Sequence, residues 1–453
     1  MEGERDGRGE AVLFARGQLA GELRPGSFVP PADARGAGLV QAADRWGRLA
    51  YVAALAFVAN LYASPAFFWP ELFEKARLGL STSAICALAV LMRRVTSGER
   101  LRLGGPPAGF LFAYAAVVPL SFAWTISAPR TTEAVADMAK LLVLYVALLN
   151  ALDTPGRLRT FLVVGALATL APSTGAVHRW IADDNLVEGY RTAWRGNYAD
   201  PNRLAMGLVL LLPPALALAG EVKPRLLKGA LLFAALANVT AVVLTHSRSG
   251  AVALAVALGL TLLRGRRKGR GLAVAAVAVI GLIALAPDTF WTRSSTIAHY
   301  EEDPSFSGRE RAYQMLQVIA SERPFTGVGA GAFIDAWERF APLSAGGLHL
   351  IAHNIFMEIL GELGVIALGL FGIFCAWLSV RLWRAGRDPV AGVEARALCA
   401  GLLGYLVCEL VNGYSRSFNL YAAFAVAVAA IGQARLRARL SAAEEEGARA
   451  ARP

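Results

Sequence analysis

The sequence predicts an all-α, polytopic membrane protein of about twelve transmembrane helices, and three observations carry that expectation. Hydrophobic residues make up 56% of the 453 positions, above the roughly 45–50% of soluble domains. They fall in runs close to the roughly 20 residues that a helix needs to cross the hydrocarbon core. Alternate loops between those runs are basic, as in a chain that crosses a bilayer back and forth.

Apolar runs between charged or Pro/Gly-rich breaks place spans at 49–66, 76–92, 107–126, 134–152, 158–177 and 203–220. Six more fall at 227–245, 249–264, 271–286, 354–382, 393–413 and 416–436. The tenth run covers about 29 residues, roughly 43 Å as a helix, so its start can stand above the hydrocarbon. The basic loops begin with Arg93, Arg94, Arg100 and Arg102, then Arg157 and Arg159, then Lys223, Arg225 and Lys228. Further clusters lie at 264–270 and 381–396. The positive-inside rule puts these loops and both termini in the cytoplasm. An even span count then leaves three segments outside: 178–202, the tight turn 246–250, and a large periplasmic loop, 287–352, between spans nine and ten.

This organisation divides the chain into a flexible cytoplasmic tail over 1–48, a transmembrane domain over 49–436 and a cytoplasmic tail over 437–453, where Glu444, Glu445 and Glu446 are solvated. The N-terminal tail has no early apolar segment after a basic start, so no cleavable signal peptide is expected. Within the large loop, Ala312, Met315, Leu316 and Ile319 recur at helical spacing, which predicts an amphipathic helix over 308–319 ended at Arg323-Pro324.

A net charge of +11 and a pI near 9.8 suit nucleic acid in a soluble protein, but here the basic residues cluster between apolar runs, and topology accounts for them. Cys86, Cys375, Cys399 and Cys408 all lie inside apolar segments without CxxC spacing, as small core residues do. The histidines lack HExxH spacing, and Asp183 with Asp184 falls short of a divalent-ion shell, so no metal and no cofactor are expected. The glycines at 327, 329 and 331 lack the strand-helix setting of a dinucleotide loop and read as a turn.

Arginines on the outer side run against the positive-inside bias. They are Arg191, Arg195 and Arg203 in the first outer segment, Arg248 in the second, and Arg309 and Arg311 in the third. Arg248 sits between two apolar runs, where an arginine at membrane depth costs about 2.5–3.5 kcal/mol. It fits either a side chain snorkelling to headgroups or a fork that binds phosphate oxygens. His353 and Asn354 stand where the tenth span begins. As residues alone they fit either a general base beside a helix start or an N-cap with its interfacial neighbour. Glu358 and Glu362, four apart on one helical face, either orient His353 or pair with arginines.

Taken in order, these segments resemble the O-antigen ligase and polymerase superfamily of bacterial polysaccharide enzymes. The resemblance covers about residues 130–435 and rests on five short motifs. They are Arg195-Gly196-Asn197-Tyr198-Ala199-Asp200-Pro201-Asn202-Arg203-Leu204-Ala205, Ser247-Arg248-Ser249-Gly250, Gly308-Arg309, Pro324-Phe325-Thr326-Gly327-Val328-Gly329-Ala330-Gly331-Ala332-Phe333, and His353-Asn354 followed by Glu358, Glu362, Leu363 and Gly364.

The resemblance implies a multi-spanning inner-membrane glycosyltransferase whose site faces the periplasm and takes a glycan from an undecaprenyl-diphosphate carrier. A ligase passes it to a lipid A core sugar, and a polymerase to another carrier-bound repeat. Arg195, or Arg191 in its place, and Arg248 engage the diphosphate, and His353 serves as base toward the acceptor hydroxyl. Asn202, Arg309, Asn354, Glu358 and Glu362 support them. Membrane lipids surround the chain and no nucleic acid takes part. The rival class is a proton-coupled transporter working through Glu358, Glu362 and Glu409; its polar groups belong near the midplane, whereas here they gather toward one face.

Overall fold

A computed structural model describes residues 34–65, 77–264, 304–341, 349–388 and 392–450, and the regular elements among them are helical. In chain order they are α1 (Ala34–Ala63), α2 (Leu78–Ser97), α3 (Ala108–Leu120), α4 (Ala128–Ala151), α5 (Pro155–Ala168), α6 (Leu170–Ile181) and α7 (Pro201–Ala219). Then come α8 (Arg225–Leu244), α9 (Arg248–Leu263), α10 (Pro304–Glu322), α11 (Trp337–Phe340), α12 (Ile355–Ala385), α13 (Val393–Glu409) and α14 (Phe418–Ala450). Each expected span falls on a helix except 271–286, which lies outside the described residues. Among the described residues, seven helical runs are long and apolar enough to cross a membrane, and α3 and α9 are shorter apolar helices. The chain is a multi-pass membrane protein.

The last helix runs on to Ala450, through the start of the expected tail, and three other differences from the sequence reading bear on the fold. The first helix begins at Ala34 rather than near 49, because Ala43, Gly47 and Ala50 continue a buried stripe at helical spacing. Hydropathy misses a stripe this narrow. The fifth expected span is two helices meeting at Thr169. There the Thr169 hydroxyl donates to the Ala166 carbonyl at 2.6 Å and accepts from the Asn238 amide at 3.0 Å.

The third difference is a break inside α12, expected as one long span. Gly364 has φ 80° and ψ 179°, a conformation essentially confined to glycine. Unwinding a helix at membrane depth strands peptide groups that lipid cannot satisfy. The segment after α10 satisfies them: Val328 N–H donates to the Gly361 carbonyl at 2.9 Å, Gly329 N–H to the Glu362 carbonyl at 2.8 Å, and Val365 N–H to the Pro324 carbonyl at 2.8 Å. On its other side this segment meets the link between α3 and α4. Ile126 N–H donates to the Val328 carbonyl at 3.0 Å, the Trp124 indole to Thr326 at 2.7 Å, and the Thr131 hydroxyl to Ala330 at 3.0 Å.

Two apolar cores result. The larger runs through the helix bundle, where Tyr114, Phe371, Phe374 and Phe424 are buried in mutual ring contact. Close approach there needs small residues, as between membrane helices generally: a Cβ on Gly401 would lie 2.2 Å from the Leu210 carbonyl oxygen. The smaller core joins Ala312, Met315, Leu316 and Ile319 of α10 to Val328, Phe333 and Trp337. The expected amphipathic helix is thus present, and its apolar face is buried. All four cysteines are buried and free.

The two ends of the bundle differ in chemistry. One gathers the basic loops: Arg93 and Arg157 pair with Asp153 at 2.6 and 2.9 Å, and Arg159 and Arg437 with Glu394, both at 2.9 Å. The other holds the starts of α7, α9, α12 and α14 together with the smaller core. Replacing Gly364 with Ala is expected to lower the melting temperature in detergent, because the new Cβ would sit 2.2 Å from the Phe325 carbonyl carbon at a backbone angle costing about 1–3 kcal/mol for other residues. Gly369→Ala, with nothing within 4 Å, is the matched control and is expected to be neutral.

Candidate functional site

The site end is built on capped helix starts. Asp200 caps α7 by accepting the N–H groups of Asn202 and Arg203 at 2.9 and 3.0 Å, with Pro201 preorganising the first turn. Ser247 caps α9 by accepting the Gly250 N–H at 3.1 Å. One side chain ties the two caps together: Asn202 accepts from the Ser247 hydroxyl at 2.8 Å and from Arg191 at 3.1 Å. Gly250 admits Ala205, whose Cβ would lie 2.7 Å from a Cβ there. Arg203 and Arg248 therefore stand, half-buried, on neighbouring helix starts. Such ends carry partial positive charge and suit anions.

The other two arginines of the first outer segment differ in their surroundings. Arg191 is buried, and its three nitrogens meet the Thr245 carbonyl, the Glu188 carboxylate and the Asn202 amide oxygen, each at 3.1 Å. A guanidinium held this way clips 188–191 to the turn before α9. Arg195 is half-buried and lies over the Trp194 ring at 5.3 Å. Arg179 approaches the same ring at 5.2 Å and donates to the Trp194 carbonyl at 3.0 Å. The indole is in turn seated on Gly175, where any Cβ would fall 2.2 Å from it.

His353 comes immediately before α12 with φ 52°, a left-handed conformation uncommon outside glycine. Asn354 caps that helix by accepting the N–H groups of Phe356 and Met357 at 2.9 and 3.2 Å. The cap and the strained histidine occur side by side, so the two readings of this dipeptide do not exclude each other. His353 is half-buried, and its pKa lies below the ordinary 6.5. Burial is the larger cause; the Arg309 cation adds to it and Asp200 opposes it. That balance favours a neutral imidazole at physiological pH. It also places His353 within electrostatic reach of α10 through Arg309 and of the α7 start through Asp200.

Glu358 and Glu362 pair with an arginine. Arg416 donates to both Glu362 carboxylate oxygens at 2.7 and 3.4 Å and lies 3.7 Å from Glu358. Glu358 also accepts from the Ser415 hydroxyl at 2.7 Å and its N–H at 3.3 Å. The link between α13 and α14 is thereby clamped to the start of α12. A Cβ on Gly413 would lie 3.2 Å from the His353 backbone nitrogen, so the clamp brings this link against the main chain at His353.

Residues 232–372 match the family described as O-antigen ligase. Over that segment the match supports membership of the O-antigen ligase superfamily. The O-antigen ligase match spans Arg248, Arg309, the 324–329 stitch, His353, Glu358 and Glu362; Arg191, Arg195 and Asn202 precede it and Arg416 follows it. The curated proteins contain no match to the chain. At family level, the match supports a membrane glycosyltransferase of ligase or polymerase type, acting on a lipid-linked glycan and an acceptor.

Arg416 was not picked out from the sequence, although like Arg248 it stands in a short link between apolar runs. No group of three or more His, Cys, Asp or Glu side chains able to hold a metal ion occurs among the described residues. Removing the cation from a buried ion cluster leaves its carboxylates uncompensated, at a cost of about 3–5 kcal/mol. Arg416→Ala is therefore expected to lower the melting temperature in detergent more than Glu362→Gln, which keeps a hydrogen-bonding partner for the guanidinium.

Proposed function

We propose that the protein transfers a polysaccharide from an undecaprenyl-diphosphate carrier to an acceptor sugar such as lipid A core, at an inner-membrane site facing the periplasm. The observation that carries this reading is the gathering of helix-start arginines and a histidine of lowered pKa at the end of the bundle opposite the basic loops. A donor diphosphate arriving at that end keeps its lipid tail in the bilayer while its charge meets Arg195 and Arg248. Arg191 has its nitrogens engaged within the fold, and we assign it to holding Asn202 and the turn before α9.

The chemistry asks mainly for charge stabilisation, positioning and a proton acceptor. The acceptor hydroxyl loses its proton to the His353 imidazole as its oxygen attacks the anomeric carbon. The bond from that carbon to the diphosphate breaks, and the arginines take up the charge released on the leaving oxygens. Attack from the opposite side inverts the anomeric centre. Arg309 keeps the imidazole basic form populated, while Asn354 and the Glu358–Arg416–Glu362 cluster hold the helix start beneath it.

Replacement of His353 or Arg248 by Ala is expected to reduce transfer by at least about a hundredfold, the low end of what general base catalysis contributes, with membrane insertion retained. Near-normal transfer by both variants would overturn the mechanism. Deletion of the gene separates ligase from polymerase: long carrier-bound chains left unattached to core indicate a ligase, and single-repeat products a polymerase.

The pH dependence follows from the histidine. A pKa below 6.5 keeps the base active into mildly acid solution, so the acid limb of the rate profile is expected below pH 6.5. Removing a neighbouring cation stabilises the imidazolium and raises its pKa. Arg309→Gln should shift the acid limb to higher pH, measured as transfer rate against pH in detergent or vesicles.

A further inference from the structure

The link between α13 and α14 carries a side chain that the mechanism above does not use. Tyr414 is 41% exposed, yet its surroundings are unusually fixed for a residue at the surface. On one side Gly413 packs against the backbone nitrogens of His353 and Asn354; on the other Ser415 is buried and held by Glu358 at 2.7 Å. Asn412 ties the link back to the Cys408 carbonyl at 2.9 Å. The Arg203 guanidinium lies 4.3 Å from the centre of the tyrosine ring, covering one face by a cation–π contact. With that face occupied by Arg203, a ligand stacking on this half-exposed ring would use the opposite face.

A rigid aromatic ring with one open face beside a general base matches the needs of a sugar. The axial C–H groups of a pyranose pack on the electron-rich ring face, and a phenolic hydroxyl at the edge meets the sugar's own hydroxyls. Tyrosine supplies such contact with little ordering cost because few torsions must be fixed. Because the residue before it packs on the His353 backbone, Tyr414 belongs to the same corner of the site as the residue assigned to deprotonate the acceptor. We propose that Tyr414 is the stacking platform of the acceptor subsite, presenting the acceptor saccharide to His353, with Arg203 holding the ring in place. This inference rests on the assignment of His353 as the acceptor's base. A tyrosine serving only as an interfacial membrane anchor, the commoner role for an aromatic near a membrane surface, would have no reason to be capped by Arg203.

The test uses the full-length protein purified in detergent, with Tyr414→Leu, which keeps an apolar side chain, and Tyr414→Trp, which keeps a stacking face. Two quantities are read: binding of delipidated lipid A core oligosaccharide, and transfer kinetics as donor and acceptor are varied separately. Tyr414→Leu is expected to weaken oligosaccharide binding and raise the acceptor KM roughly tenfold, the scale of one stacked ring, leaving the donor KM and the acid limb unchanged. Tyr414→Trp is expected to restore binding to within about threefold of wild type, since the aromatic face is retained. Transfer in which Tyr414→Leu leaves binding and acceptor KM unaltered would overturn the platform and leave the transferase reading standing. Oligosaccharide binding that needs an aromatic at 414, in a protein without transfer activity, would sustain the subsite and overturn that reading. Absence of both binding and transfer in wild type would overturn both.

Discussion

A helix broken at membrane depth must find partners for the peptide groups it releases, because hydrocarbon provides none. In this protein the partners are the backbone groups of Pro324, Val328 and Gly329. Their bonds to Gly361, Glu362 and Val365 hold the loop segment inside the break at Gly364, and glycines on both sides make the approach possible. A Cβ on Gly327 would meet the Gly361 carbonyl oxygen at 2.4 Å, and one on Gly329 would meet the Thr125 hydroxyl at 2.2 Å. The other features of the site end follow from this seam. It fixes the smaller core against the bundle, it orients the first turns of α12, and through them it sets where His353 stands.

Charge is distributed around that seam in two ways. Arg191 and Arg416 are wrapped in carboxylate, amide and carbonyl partners and act as fasteners between segments distant in sequence. Arg195, Arg203, Arg248 and Arg309 are half-buried beside helix starts or aromatic rings. A cation stacked on an aromatic face keeps its full charge while its orientation is restricted. The first group supplies rigidity, and the second leaves positive potential where an anionic donor would arrive. His353 registers that potential directly, since burial and the Arg309 cation both disfavour its protonated form. Under the proposed function, the same field that would attract a diphosphate also keeps the His353 imidazole neutral, which would link donor binding to proton acceptance.

Much of the architecture was legible in the order of the residues. Apolar run length located the helices, because the bilayer imposes a fixed thickness. Alternation of Arg and Lys between loops assigned the basic residues to one end, and by elimination set Arg195, Arg248 and His353 at the other. Helical spacing in 308–319 announced the amphipathic helix. The family resemblance drawn from short motifs agrees with the matched segment 232–372. These features are local or periodic, and periodicity survives in a one-dimensional string.

Tertiary structure alone decided which polar groups meet. Nothing in the spacing of Glu358 and Glu362 tells that their partner is Arg416, more than fifty positions away, or that Asn202 bridges Arg191 to Ser247. The break at Gly364 was equally hidden, since an apolar run of 31 helical residues reads as continuous until a second segment is seen to take its peptide groups. Burial, too, separated two arginines that the sequence treats alike, fastening Arg191 and leaving Arg195 stacked on Trp194. The physical reason is the same in each case: hydrophobic thickness and charge sidedness act on every residue independently, whereas hydrogen bonds and ion pairs depend on a partner whose position only folding supplies.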